Sequence, residues 1–334
     1  MAKQRSFIED SRGVSAMEYA LLIAAILLVG AGGYRLLGNV INTKAACAGT
    51  FGDNCGGAGG GGDPGAGGAG GGEGVAAPSQ SGSTTAGLAP GSSDAQVRGQ
   101  ASRPFDATLA RLADDTYHYD NGIPGWNKVS PQDLTAAGVN PAILENSVDG
   151  FKSDIYTDGQ GHYVLAYRGT AGSDWSHPTA PIGGFLSDAN QGFGHPDPQY
   201  AQALAVAKQA KAAYGDNLTI TGHSLGGGLA TDAALATNTP AVVFNPAGVH
   251  PNTEILSGVN PLTAGARAND GLIRNYVVNG EILNTSQDAV GGPVVLPRSV
   301  GTRYNLDPAP NIAHDPISLH NGFVQTIEHD QPWK

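Results

Sequence analysis

The distribution of apolar residues changes character twice along the 334-residue chain. An almost unbroken apolar run extends from Ala16 to Tyr34. At ~1.5 Å per residue it reaches a little under 30 Å as a helix, close to the hydrocarbon thickness of a bilayer. From Gly49 to about Ala101 large apolar side chains are scarce, and Gly, Ala, Ser and Pro dominate. Such a stretch buries too little surface to offset its conformational entropy, so it is expected to be a disordered tether. With roughly 50 residues its root-mean-square reach is about 40 Å. Beyond residue 101 apolar positions recur with helical and strand periods, as expected for a folded domain over 102–334.

Within that domain, Phe105 to Tyr119 reads as an amphipathic helix, with Leu109, Leu112 and Ala113 on one side and Asp114 and Asp115 on another. The runs Lys152 to Thr157 and His162 to Tyr167 flank Asp158-Gly-Gln-Gly161 and predict a hairpin. Pro198 to Tyr214 is Ala-rich, preceded by Asp197 as N-cap, and predicts a long helix. Leu218 to Thr221, Ala241 to Asn245 and Leu272 to Val278 are candidate buried strands, with a helix over Leu225 to Leu235 between the first two. Strands alternating with helices predict an α/β fold: a mostly parallel sheet with helices on both faces.

Composition sharpens this division. Of the 50 glycines, the excess lies between Gly49 and Gly91. The formal net charge of −11 argues against a nucleic-acid partner, which would need clustered Lys and Arg. Cys47 and Cys55 lie outside the domain and have the spacing for a small disulfide loop in an oxidising compartment. No further Cys or His nearby completes a metal site, and nothing in the sequence calls for a cofactor.

The basic residues Lys3, Arg5 and Arg12 precede the apolar run and would keep that end cytoplasmic. Glu18, near the start of the run, is costly in lipid unless paired and therefore invites a functional reading. The segment Ser11-Arg-Gly13-Val14-Ser-Ala-Met-Glu18-Tyr19 resembles the start of tight-adherence (Flp, type IVb) pilins. That resemblance implies a leader over 1–13 cut after Gly13 by a prepilin peptidase, with Val14 as the first mature residue. It also implies a pilin-like helix over 14–45, followed by the linker over 46–101. Glu18 would then meet the α-amine of a neighbouring subunit during pilus-type assembly or secretion, and the chain would pass from the inner membrane to the cell surface. An ordinary signal anchor is the plainer alternative.

Gly222-His223-Ser224-Leu225-Gly226 matches G-x-S-x-G, with a predicted strand before it and a helix after it. A sharp strand-to-helix turn exposes a serine hydroxyl, and the flanking glycines permit close packing around a strained backbone. The helix start places the N–H of Leu225 near a developing oxyanion. A Gly-Ser turn has the same letters; the flanking strand and helix distinguish the two.

Thr221-Gly-His-Ser-Leu-Gly-Gly227, together with Tyr163-Val-Leu-Ala-Tyr-Arg-Gly-Thr170 and Val243-Phe-Asn-Pro246, resembles the class 3 (fungal-type) lipases of the α/β-hydrolase superfamily. The resemblance implies that Thr170 is a second oxyanion-hole donor. It further implies a lid in the loop between Ser173 and Gly194, which carries Trp175, Ile182, Phe185, Leu186 and Phe193; the plainer alternative is that these residues anchor the loop to the core.

A serine nucleophile needs a histidine to take its proton and a carboxylate to orient that histidine. In this class the acid follows the serine and the histidine follows the acid. His250 comes too early, His329 lies near the terminus, and His320 sits where a loop enters the expected last helix, with His314 as its rival. Glu281 follows a buried strand where the family usually carries aspartate; Asp288 and Asp307 are alternatives. The expectation is a serine-dependent carboxylic-ester hydrolase of lipase or phospholipase type, acting on a lipid or other acyl ester through an acyl-enzyme. The competing expectation is an inactive, structural or adhesive minor pilin with a hydrolase-like domain.

Overall fold

A computed structural model of the chain describes residues 88–118, 122–170, 197–288 and 296–334. The leader, the pilin-like helix with Gly13, Val14 and Glu18, both cysteines, linker residues 46–87 and the expected lid lie outside the described residues. Among the described residues no helix is long and apolar enough to cross a membrane.

In chain order, helix α1 (Ser93–Val97) and α2 (Phe105–Asp115) lead into strand β1 (Asn127–Lys128), α3 (Pro131–Ala136) and β2 (Glu145–Asn146). The hairpin of β3 (Phe151–Thr157) and β4 (Tyr163–Tyr167) follows, then α4 (Pro198–Tyr214) and β5 (Leu218–His223). Helix α5 (Leu225–Thr237), β6 (Ala241–Phe244), α6 (Pro251–Leu256) and α7 (Pro261–Arg267) come next. Strand β7 (Ile273–Val278), α8 (Ile282–Asp288), β8 (Thr302–Leu306), α9 (Pro316–Asn321) and α10 (Phe323–Asp330) complete the chain.

The strands form one mixed sheet in the order β1-β3-β4-β5-β6-β7-β8, with β2 paired to β3. Strands β1 to β4 pair antiparallel, and β4 through β8 run parallel. The period of two along each strand divides the core between the two faces. Val164, Ala166, Val242, Phe244, Tyr276 and Val278 face α2 and α10, packing with Leu109, Leu112, Phe323 and Ile327. Leu165, Tyr167, Ile220, Val243 and Ile273 face α4 and α5, packing with Val206, Ala207, Leu229 and Ala233. Helix α4 starts and stops where its sequence signals lie: Asp197 accepts the Gln199 N–H at 2.9 Å, Pro198 takes the first position, and Gly215 ends it at φ +56°.

The folded part begins before residue 102. Ser92 caps α1, Ser93 Oγ donates to Asn217 O at 2.9 Å, and Val97 is buried. What draws this segment in is Arg274 of β7, itself buried. Its guanidinium forms a fork with Asp106 of α2 (Nη2–Oδ1 2.6 Å, Nε–Oδ2 2.8 Å) and also donates to the carbonyls of Val97 and Gly99. Tyr276 donates its hydroxyl to the same carboxylate at 2.6 Å. A buried guanidinium needs its donors satisfied, and main-chain carbonyls of the segment before 102 supply the acceptors.

Candidate active site

Strand β5 ends at His223 and α5 begins at Leu225, so the chain reverses at Ser224, whose backbone sits at φ 59°, ψ −129°. A non-glycine residue there is strained and must be held by its surroundings. The Ser224 N–H donates to Phe244 O at 3.1 Å, and its carbonyl accepts from the N–H groups of Gly227 and Ala247, each at 2.9 Å. The flanking glycines are required by contact: a Cβ on Gly222 would lie 2.2 Å from Gly226 O, and one on Gly226 would lie 2.2 Å from Tyr167 O. Leu225 opens α5, so its N–H has no acceptor within the helix and lies at the positive end of the helix dipole.

The segment after β4 passes directly over this turn. A Cβ on Gly169 would meet Tyr117 Oη at 2.2 Å, His223 O at 2.8 Å and Ser224 Cβ at 3.1 Å. The Gly169 N–H donates to Tyr117 Oη at 2.8 Å. Thr170, next in the chain and half-buried, is the last described residue on this side of the 171–196 segment.

His320 and Glu281 meet at the same end of the sheet. Both are buried, and Nδ1 of the imidazole lies 2.5 Å from Glu281 Oε2. Glu281 immediately precedes α8, and its two oxygens accept from the N–H groups of Leu283 (2.9 Å) and Asn284. The carboxylate therefore binds like a helix cap and presents a lone pair to the ring. Nδ1 faces an acceptor and carries a proton, which leaves Nε2 as the basic nitrogen of the neutral ring.

His320 also rests on the turn itself. Its backbone carbonyl accepts from His223 Nε2 at 3.0 Å and from Asn245 Nδ2 at 2.8 Å, and the two imidazoles lie 4.6 Å apart. A carbonyl only accepts, so Nε2 of His223 holds the proton and Nδ1 faces the Tyr117 hydroxyl at 3.1 Å. Burial, then the neighbouring His320, hold the His223 ring well below the ordinary histidine pKa, against the hydrogen bond to the His320 carbonyl. Phe323 stacks on it with centroids 4.2 Å apart.

The structure thus brings Ser224, His320 and Glu281 to the carboxyl ends of β5 and β7, with Leu225 and the Gly169–Thr170 segment alongside. The rival acids are engaged elsewhere: Asp288 pairs with Arg303 at 2.8 Å, and Asp307 accepts from Asn279 at 2.9 Å. His314 and His329 are exposed, and His250 caps α6 by accepting the Asn252 N–H. His320 lies inside the short helix α9 where a loop was expected, because Asp315 caps the Ile317 and Ser318 N–H groups and Pro316 takes the first position. Sequence reasoning missed Tyr117, Asn245 and the part played by His223; only the last had a signal, its adjacency to the serine. Among the described residues no group of three or more His, Cys, Asp or Glu is placed to hold a metal ion.

These features define a mixed-sheet α/β fold with a buried histidine–carboxylate pair set against a strand–serine–helix turn. The chain belongs to the phospholipase-like family of Tle-like phospholipase domains, whose pattern matches residues 108–304. That stretch includes Ser224 and Glu281 and stops short of His320. An extracellular phospholipase A1 of Serratia liquefaciens is 42% identical over 223 residues, covering 66% of this chain. The chain spans 65% of that relative's length. Among solved structures, the extracellular lipase LipA of Serratia marcescens is similar at 19% identity and a TM-score of 0.31, over 54% of this chain and 29% of that one. The native Rhizomucor miehei lipase propeptide complex is similar at 14% identity and a TM-score of 0.30, over 63% and 82%.

Proposed function

We propose that the domain is a serine-dependent lipid-ester hydrolase of the α/β-hydrolase type, acting on glycerophospholipids. The observation that carries this reading is the 2.5 Å Glu281–His320 contact, seated on the turn that holds Ser224 at positive φ. Family membership and the phospholipase relative supply the substrate class. In the proposed reaction Nε2 of His320 takes the Ser224 proton as Oγ attacks the ester carbonyl, and Glu281 stabilises the resulting imidazolium. The N–H of Leu225 and a donor from Thr170 receive the oxyanion. Collapse expels the lysophospholipid alcohol, which takes the proton from His320. Water, deprotonated by the same histidine, then releases the fatty acid and restores Ser224.

The pilin-like start of the chain and the extracellular relative support delivery to the cell surface, with cleavage between Gly13 and Val14; mass spectrometry of the mature N-terminus tests this. The enzymatic reading is tested on a phosphatidylcholine with distinguishable chains at its two positions. Turnover by the wild type and its loss in Ser224→Ala are expected. Equal products from both would refute the serine mechanism, and turnover by neither would favour the inactive structural reading.

A further inference from the structure

Asn245 closes β6 and is fully buried, yet its backbone sits at φ 42°, the left-handed region usually left to glycine. Three hydrogen bonds hold it there. Its N–H donates to Tyr276 O, its Oδ1 accepts the Val278 N–H, and its Nδ2 donates to the His320 carbonyl, each at 2.8 Å. The partners settle the orientation of the amide, since a flipped side chain would set donor against donor and acceptor against acceptor.

The carbonyl of His320 belongs to the last turn of a six-residue helix, where it has no intrahelical donor. Asn245 from β6 and His223 from β5 occupy it instead. His223 is the last residue of β5 and Asn245 the first after β6, and the same two strand ends fix Ser224: His223 precedes it in the chain, and Phe244, beside Asn245, accepts its N–H. We infer that Asn245 is a positioning residue for the ester hydrolysis proposed above, locking the His320 main chain to the sheet that carries Ser224. This inference rests on that reading of Ser224 and His320. The contact at Nδ1 fixes one edge of the imidazole, and the direction of Nε2 also depends on where the main chain of His320 sits. Fixing the carbonyl of the same residue holds the pivot of the side chain and so narrows the directions open to Nε2. Small displacements of a reacting group cost large factors in rate, so the anchor acts on the chemical step and not on substrate affinity.

The test uses the full chain purified in detergent micelles. Asn245→Gly keeps the left-handed backbone and deletes both side-chain bonds. Asn245→Asp keeps the acceptor for Val278 and sets an oxygen against the His320 carbonyl. The readouts are kcat and KM on a short-chain nitrophenyl ester, the melting temperature, and the far-downfield proton resonance expected from His320 Nδ1–H against Glu281. The expected result is a kcat lower by about tenfold to hundredfold in both variants. KM should be unchanged, and the downfield line lost or broadened in protein that remains folded. A kcat at the wild-type value in either folded variant, or a kcat falling only in step with the folded fraction, overturns the inference. If the wild type shows no Ser224-dependent turnover, the proposed function fails by itself, and the resonance still decides. Its survival in Asn245→Gly overturns the anchoring, and its loss upholds it.

Discussion

Asp232 lies in the second turn of α5, 1% exposed, with Oδ2 accepting from Ser257 at 2.5 Å and Oδ1 without a hydrogen-bond partner among the described residues. Burial raises its carboxyl from the ordinary 3.8 to about 7, Ser257 works against that rise, and Glu254 adds to it. The folded protein therefore keeps a proton that the unfolded chain releases above about pH 4. By linkage, stability falls as pH rises from near 4 and levels off once pH passes about 7. At ~1.4 kcal/mol per pH unit, and with the slope falling off near 7, the wild type loses about 2 kcal/mol through this group between pH 5 and pH 7. Asn keeps the acceptor for Ser257 and cannot ionise. Asp232→Asn should therefore be more stable than the wild type by about 4 kcal/mol at pH 8, as an upper figure, and by clearly less at pH 5. Equilibrium urea unfolding of both proteins at pH 5, 6, 7 and 8 measures this, because the difference between the curves cancels groups common to both. Parallel curves across that range would refute the assignment of a raised carboxyl to Asp232.

Arg274→Ala leaves Asp106 buried without its cation and should cost about 3–5 kcal/mol, read by urea unfolding. It should also speed proteolysis within 88–101, since Arg274 holds the Val97 and Gly99 carbonyls. Gly226→Ala forces a Cβ against Tyr167 O, a main-chain atom that cannot retreat, and should cost more than about 3 kcal/mol and abolish ester turnover. A folded, active Gly226→Ala protein would show that the turn is looser than described.

The sheet was legible wherever period and punctuation agreed. Asp197 before Pro198 marked the start of α4, and the buried β5 read, over Leu218 to Thr221, as a short β-branched run. Ser224 was legible because strain at one residue imposes glycine at fixed offsets. Chain order narrowed the candidates but left His314, Asp288 and Asp307 open beside His320 and Glu281, because the His320–Glu281 contact is made across 39 residues of sequence and leaves no periodic trace. Strand β8 was missed because Thr302–Leu306 is polar and partly exposed at the sheet edge. The segment before 102 read as linker because Val97 is its single large buried side chain and its other anchors are Ser93 and main-chain carbonyls, whose partners Asn217 and Arg274 are distant in sequence. Asn245 gave no signal, since an asparagine at a strand end also fits an ordinary turn.

In the function proposed above, the imidazole of His320 activates the hydroxyl of Ser224. A fluorophosphonate reacts with such a hydroxyl at a rate set by that activation, and peptide mass spectrometry locates the adduct. A single adduct on Ser224 is expected, forming readily in the wild type and suppressed in His320→Ala. An adduct on another residue, or labelling of Ser224 unaffected by loss of His320, would contradict it.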